Sequence, residues 1–368
     1  MDGRLRENLT AIPDGRWLNL FNVRHVITDK LYDAWLDDIF YDLQFGAQLE
    51  IGETAAVARA PRFEATALGI VSYLRGGAAL PDGTVVGVVE IGFGDGLTRT
   101  FELRAGEHTA EGLYGPDVAH AQAQIGGHFW PGEPLGNDYV TRLRWQEPSA
   151  PVKIVVRARL PEGELIVRGV SLIDERTGGF LALVLSDRGR FRLAHSGDVK
   201  IYENLDVLPR AFLVREGGAV TVADDEGALR LMQDPAFDPA AVVVLAGDAN
   251  TGRAGIESWG SAGSARVAVN APERVEIELD AQEAGYLVLT DAWYPGWEAT
   301  VDGEPATVRR ADLLFRAVAV DAGSHRIVFT FRPASVRIGA GVSLAGLAAL
   351  AVIAVWGWQR CPKRGAML

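Results

Sequence analysis

The sequence ends in an apolar segment that constrains how the rest of the chain can be arranged. Residues 338–358, IGAGVSLAGLAALAVIAVWGW, form a run of about 21 residues without a charge. As an α-helix rising about 1.5 Å per residue, such a run spans a hydrocarbon core about 30 Å thick. Trp356 and Trp358 lie where aromatic side chains meet a membrane surface. We therefore expect one transmembrane helix over residues 336–359, followed by a basic cytoplasmic tail over residues 360–368.

The charges at the two ends of the chain bear on its orientation in the membrane. Arg360, Lys363 and Arg364 follow the apolar run, and the positive-inside rule places them in the cytoplasm and the bulk of the chain outside it. The N-terminal residues MDGRLRENLTAIPDGRW lack the apolar core of a signal peptide. The chain is either tail-anchored with its bulk in the cytoplasm or the C-terminal part of a longer polytopic protein whose earlier helices direct export. We favour the second interpretation.

Composition excludes several other classes of protein. The 368 residues include 36 Lys and Arg against 48 Asp and Glu, a formal net charge of -12, so the chain lacks the basic excess that phosphate binding requires. We therefore expect no nucleic-acid partner. The single cysteine, Cys361, excludes an intrachain disulfide and a thiolate zinc site. No motif for a metal or a cofactor stands out, and we expect none to be bound.

Upstream of the helix the sequence predicts a mainly β protein. In residues 274–280, RVEIELD, apolar and charged side chains alternate as in a half-buried strand. Short runs of this kind predict a C-terminal β-sandwich over residues 251–335. Longer runs, such as TVVGVVEIGF and ELIVRGVSLID, predict a jelly-roll, carbohydrate-binding-like β-sandwich over residues 59–175. We assign residues 1–58 and 176–250 to one small discontinuous α+β unit that the jelly-roll interrupts.

Several of these stretches resemble YfhO-type bacterial membrane proteins. The resemblance rests on LNLFNVRHVIT, VKIYENLDVLPRAFLV and FDPAAVVVL, and above all on LTDAWYPGWEATVDGEPATVRRADLLFRAVAVDAGSHRIVFTFRP with the apolar helix that follows. It implies a polytopic protein of the GT-C glycosyltransferase type, which uses lipid-linked sugars outside the bacterial cytoplasmic membrane. In that family the acidic catalytic residue lies between early transmembrane helices. This sequence contains none of those helices, so no catalytic residue is assigned.

The resemblance implies a role within a larger assembly, and whether the chain is itself an enzyme stays open. We expect a non-catalytic extracytoplasmic module involved in glycosyl transfer to cell-envelope glycans, which positions or binds the acceptor. The alternative is a membrane-anchored scaffold or interaction module that binds no sugar. The expected partners are the bilayer, a glycan or lipid-linked sugar, and transmembrane helices of a parent or partner protein.

Two aromatic stretches are candidates for sugar binding, since sugar C–H faces stack on exposed rings while neighbouring polar groups bond the hydroxyls. The first, GGHFWPGEPLGNDY, offers Phe129, Trp130, Asn137, Asp138 and Tyr139. In the competing interpretation Trp130 plugs the end of the sandwich, because tryptophan buries a large apolar area.

The second stretch, AWYPGWEATVDG, contains a Pro-Gly pair that predicts a tight turn between tryptophans. An alternative sugar platform would consist of Trp293, Tyr294, Trp297, Arg309, Arg310 and Arg316. We instead expect a structural corner, in which Trp293 or Trp297 packs on the end of the sandwich beside the strand VRRADLLFRA.

The orientation can be tested at Cys361. With the tail in the cytoplasm, a membrane-impermeant maleimide leaves this thiol unlabelled in intact cells and labels it after permeabilisation. A Cys361→Ser chain contains no thiol and supplies the background signal. Labelling of Cys361 in intact cells would place the β domains in the cytoplasm.

Overall fold

A computed structural model describes residues 14–30, 32–113, 122–127, 136–247 and 262–360, with side chains up to Trp356 in the last helix. The protein is mainly β with one apolar C-terminal helix, as the sequence predicts. Its chain divides into two compact units, residues 1–207 and residues 208–368.

The first unit contains two large sheets, a small sheet and a hairpin. Its elements are α1 (Gly15–Leu20), β1 (His25–Asp29), β2 (Asp33–Leu36), β3 (Ile39–Asp42), β4 (Ala47–Leu49), β5 (Thr54–Ala56), β6 (Ala65–Arg75), β7 (Val85–Phe93), β8 (Thr98–Arg104), β9 (Ile125–Gly127), β10 (Asp138–Ser149), β11 (Pro151–Ala158), β12 (Glu164–Asp174), β13 (Gly179–Leu183), β14 (Phe191–Ser196) and β15 (Val199–Asn204). One large sheet has the order β13-β12-β6-β10-β9, with β4 also paired to β12, and the other has the order β5-β11-β7-β8. The small sheet is β1-β15-β14, and β2 pairs with β3.

One hydrophobic core joins the two large sheets of this unit. It includes Leu68, Leu143 and Leu172 from the first sheet and Val89 and Ile154 from the second, all buried. Most of these strands fall within the expected jelly-roll of residues 59–175. The sheets also include β4, β5 and β13, which lie outside those limits.

A buried ion pair connects the small sheet to the hairpin. Lys200 of β15 is fully buried, and its Nζ donates to Asp42 Oδ1 at 2.7 Å. The hydroxyl of Tyr202 donates to the other oxygen of Asp42 at 2.6 Å. Because a buried charge is tolerated only when it is paired, these contacts select one placement of β15 against β3.

The second unit contains two sheets and two of the α-helices. Its elements are β16 (Ala211–Arg215), a 3-10 helix (Glu216–Gly218), β17 (Ala219–Val222), α2 (Asp225–Gln233), β18 (Val243–Ala246), β19 (Gly263–Ala271), β20 (Arg274–Ala281), β21 (Gly285–Leu289), β22 (Trp297–Val301), β23 (Glu304–Ala306), β24 (Arg309–Ala311), β25 (Phe315–Val320), β26 (Gly323–Phe331) and α3 (Ala334–Arg360). The sheet orders are β16-β21-β25-β24-β18-β17 and β19-β20-β26-β22-β23.

The division into units differs from the expected partition at residues 208–250. The sequence analysis groups them with the N-terminal segment, whereas the structure pairs β16 with β21 and β18 with β24. Strands β17 and β18 are parallel and are connected through α2. Local periodicity identifies a strand but carries no information about its partner, so it does not place these strands in a sheet.

The alternation that predicts the C-terminal strands is seen in their burial. Val275, Ile277 and Leu279 of β20 are buried in one core with Leu289 of β21 and Phe329 of β26, so both sheets contribute to it. The Val-Asp-Gly motif forms the hairpin between β22 and β23, where Asp302 and Gly303 have φ of 53° and 93°. Positive φ at both central residues is the pattern of a type I′ turn.

The last helix meets the physical requirements of a membrane span. Its segment Ala334–Trp356 contains 23 residues, the most apolar 18-residue stretch of that segment has a mean hydropathy of 2.3, and none of that stretch is buried against the protein. The chain is thus a membrane protein with one C-terminal helix long and apolar enough to cross a bilayer. The Trp358 side chain and residues 361–368, with Cys361, lie outside the described residues.

Candidate functional site

The aromatic turn of AWYPGW lies where β26 passes into α3. Gly296 has φ of 107°, and its carbonyl accepts a hydrogen bond from the Arg332 amide at 2.7 Å. A Cβ atom at position 296 would lie 2.8 Å from Cα of Pro333. Glycine is therefore needed here both for the backbone conformation and for the close approach to the junction between strand and helix.

Trp297, the first residue of β22, packs against the protein in the way that the corner interpretation describes. Its ring centroid lies 3.8 Å from Cζ of Arg316 and 5.1 Å from the ring centroid of Phe331. Trp297 is half-buried and packs against the core shared by the two sheets. Arg316 belongs to β25, within the VRRADLLFRA stretch.

Arg316 is engaged inside the protein. It is 2% exposed, and its Nη2 donates to Asp291 Oδ2 at 2.7 Å. Arg210 donates to the other oxygen of Asp291 at 2.9 Å. Burial lowers the pKa of Arg316 to about 10, which leaves the group protonated at neutral pH. The face of Trp297 supplies a cation–π contact to a guanidinium whose Nε and Nη1 have no hydrogen-bond partner among the residues that the structure describes.

The other residues of the alternative platform are placed differently. Arg309 reaches the carbonyl of Ala246 at 3.3 Å, and Arg310 forms an ion pair with Asp225 of α2. Trp293 and Tyr294 are exposed by 37% and 63%. The structure thus brings Arg316 together with Trp297, directs Arg309 and Arg310 to other partners, and leaves two aromatic rings on the surface.

The first sugar-binding candidate is only partly within the described residues. Phe129 and Trp130 lie outside them. Asn137, Asp138 and Tyr139 are buried, with 2%, 0% and 5% exposure, so they present no open surface to a glycan.

These three residues belong to a buried polar cluster. Tyr139 donates to the carbonyl of Glu111 at 3.0 Å, and Asp138 Oδ2 lies 3.9 Å from Arg168 Nη1. Burial raises the pKa of Asp138 to about 6, because the charged form is poorly solvated there.

An exposed tryptophan on the first unit was not among the candidates from the sequence. Trp35 of β2 is 64% exposed, and its ring centroid lies 5.4 Å from Phe40 and 5.5 Å from Phe180. The hairpin turn at Asp37 and Asp38 has φ of 48° and 61°, again the type I′ pattern. The ring is braced from two sides while much of its surface remains open to solvent.

Charged groups lie at the turn of the same hairpin. Arg142 Nη2 donates to Asp37 Oδ2 at 3.2 Å, and Arg142 Nη1 lies 3.6 Å from Glu175 Oε1. The hydrogen bond from Arg144 to Glu175 lowers the pKa of that carboxyl, so it is ionised at neutral pH. We call Trp35, Asp37, Arg142 and Glu175 the Trp35 surface.

A sequence signal for this surface exists in β2. Trp35 alternates with Ala34 and Leu36, which pack into the core beneath the hairpin, so the period of two places Trp35 on the opposite face. Because the strand has only four residues, the alternation is too short to be recognised without its partner.

Within the described ranges, no group of three or more His, Cys, Asp or Glu is positioned to hold a metal ion.

Comparison with known families gives a match to the C-terminal part of the chain. Residues 264–343 match the family model described as bacterial membrane protein YfhO, which confirms the resemblance for this segment. The matched segment runs from β19 into α3 and includes the aromatic turn.

No curated protein matches the chain. Two solved structures of the arabinofuranosyltransferase AftD from Mycobacteria, one of them a mutant, are similar to it at 14% and 13% sequence identity. They cover 94% and 87% of this chain with TM-scores of 0.20 and 0.16, too low to establish a shared fold. This chain spans 27% and 25% of the length of those two proteins.

Gly296→Ala tests the close approach of the turn to Pro333. Backbone strain alone costs about 1–3 kcal/mol, and a steric clash with Pro333 adds to that cost. We therefore expect the free energy of unfolding to fall by more than backbone strain alone explains. Gly303→Ala is the matched control, since Gly303 also has positive φ but no atom of the described part of the chain lies within 4 Å of its Cβ position. Chemical denaturation of the full chain in micelles provides the comparison. Equal losses in the two variants would argue against the contact.

Trp297→Ala tests the corner interpretation. We expect a loss of about 3 kcal/mol, because a cavity forms and the buried guanidinium of Arg316 loses the ring that faces it. Trp293→Ala removes a more exposed ring, and its cost should stay below about 1 kcal/mol. The midpoints of thermal unfolding distinguish the two variants, and a loss at Trp293 as large as that at Trp297 would contradict the assignment.

Proposed function

We propose that the chain is a non-catalytic extracytoplasmic module of a YfhO-like polytopic protein of the bacterial cytoplasmic membrane. In this proposal it positions an acceptor glycan of the cell envelope for a glycosyl transfer that other transmembrane helices catalyse. The YfhO match over residues 264–343 and the apolar helix support the membrane context. The observation that carries the glycan-binding role is the Trp35 surface.

The chemistry of the Trp35 surface suits a sugar. An exposed indole face offers the apolar plane on which sugar C–H groups stack. Asp37 and Glu175 are paired with Arg142, and the remaining acceptor positions of these two carboxylates are available to hydroxyl groups. Hydrogen bonds to charged partners are stronger than neutral ones, so a few of them fix the orientation of a stacked ring.

Rigidity also favours this surface over a flexible loop. Trp35 lies in a two-stranded hairpin that packs on β12 and β13, and Phe40 and Phe180 limit the positions of its ring. A side chain that is already ordered loses little conformational entropy when a ligand binds. The buried residues Asn137, Asp138 and Tyr139 would instead have to be uncovered first.

Trp35→Ala in the full chain tests the proposal. We expect affinity for cell-envelope glycans, measured by glycan array and by titration calorimetry, to fall at least about tenfold, a change of about 1.4 kcal/mol. The midpoint of thermal unfolding should change little because the ring is largely exposed. Ile51→Ala removes another exposed apolar side chain of the same unit, with 66% exposure, and should leave glycan affinity unchanged.

Absence of glycan binding by the unmodified protein would favour the alternative of a scaffold or interaction module without sugar binding. Binding that persists in Trp35→Ala would place the glycan site elsewhere on the chain.

A further inference from the structure

Three exposed apolar side chains lie together at the base of α3. Trp293, Tyr294 and Leu314 are exposed by 37%, 63% and 52%. The carbonyl of Leu314 accepts a hydrogen bond from the Trp293 amide at 2.6 Å, so the two chain segments are adjacent. We call these three residues the aromatic turn patch.

The patch is coupled rigidly to the start of the helix. Tyr294 and Phe331 have ring centroids 6.3 Å apart, and the Arg332 amide bonds the Gly296 carbonyl. Gly296 itself approaches Pro333, and α3 begins at the next residue, Ala334. No linker therefore separates the patch from the membrane-spanning segment.

The length of the first helical turn gives the height of the patch above the hydrocarbon. The apolar run begins at Ile338, which follows Arg337 and lies four residues beyond Ala334, the first residue of α3. Four residues rise about 6 Å. A bilayer about 40–45 Å thick with a hydrocarbon core of about 30 Å has interfacial layers of about 5–7 Å on each side. The junction at Pro333 thus lies within the headgroup layer.

From this position we propose that the aromatic turn patch inserts into the headgroup layer of the bilayer and fixes the second unit on the membrane surface. Tyrosine and tryptophan favour this layer because one end of each side chain is apolar and the other is polar. The exposed guanidiniums of Arg332, which also lies 3.6 Å from Glu298, and of Arg337 lie at the two edges of this layer, where lipid phosphates are available to bind them. This proposal does not depend on glycan binding at the Trp35 surface.

The neighbours of the patch favour lipid over sugar. A sugar stacked on Trp293 or Tyr294 needs polar groups nearby to bond its hydroxyls. Arg316 and Asp291 of the turn region bond each other, Arg316 is buried, and Glu298 lies 3.6 Å from Arg332. Arg309 and Arg310 bond other elements of the second unit. An aromatic ring that inserts into a headgroup layer does not need hydrogen-bonding groups beside its face.

A nitroxide at Tyr294 tests the depth of the patch. The full chain with Cys361→Ser and Tyr294→Cys is labelled and reconstituted into nanodiscs of phosphatidylethanolamine and phosphatidylglycerol. We expect the electron paramagnetic resonance signal to relax more with oxygen, which concentrates in the bilayer, than with a water-soluble nickel chelate. The control is Ser324→Cys, an exposed position at the start of β26, about 23 Å along the strand from Phe331. There the nickel chelate should dominate.

Nickel accessibility at Tyr294 equal to that at Ser324 would overturn the proposal. If Tyr294→Cys fails to fold, Leu314→Cys carries the label at the neighbouring position with the same expectation. Protection of the Tyr294 label by a soluble cell-envelope glycan, with no preference for oxygen, would also overturn it and would support a sugar platform. The Trp35→Ala substitution should leave the depth at Tyr294 unchanged, which separates this test from that of the proposed function.

Discussion

The second unit is organised around the direct passage of β26 into α3. β26 is the central strand of its sheet, with β20 on one side and β22 on the other, and its Ile327 and Phe329 are fully buried. The strand is therefore held by hydrogen bonds on both edges and by the core. The helix that continues from it exposes apolar side chains along its described length, and such a surface is stable only in lipid or against other helices. The buried strand β26 and the apolar helix α3 are thus joined through only three residues, Phe331, Arg332 and Pro333.

Buried charges specify the arrangement within each unit. In the first unit Lys200 bonds Asp42, which joins strands far apart in sequence. In the second unit Asp291 pairs with both Arg210 and Arg316. Leaving one partner of such a pair unmatched costs several kcal/mol, so alternative placements of these strands are strongly disfavoured. These interactions contribute more to the choice of one structure than to net stability.

The surroundings of each aromatic residue determine its role. Trp297 lies on a buried arginine and stabilises a corner, whereas Trp293 and Tyr294, a few residues away, are exposed beside the start of the membrane helix. Trp35 is exposed on a hairpin whose turn residue Asp37 bonds Arg142, and we propose that this combination suits a polyhydroxylated ligand. Trp35, Trp293 and Trp297 are the same residue type. The groups beside each tryptophan therefore determine which partner it favours.

The sequence by itself determined the features that depend on local chemistry. These are the membrane helix, which follows from an uncharged run of sufficient length, the alternating strands such as β20, and the turns at Gly296 and Asp302. Only the tertiary structure decided that β16 to β18 join the second unit, that Asp138 is buried and that Trp35 is exposed. Each of these outcomes depends on a strand partner or a packing neighbour far away in sequence, and local periodicity contains no information about that partner.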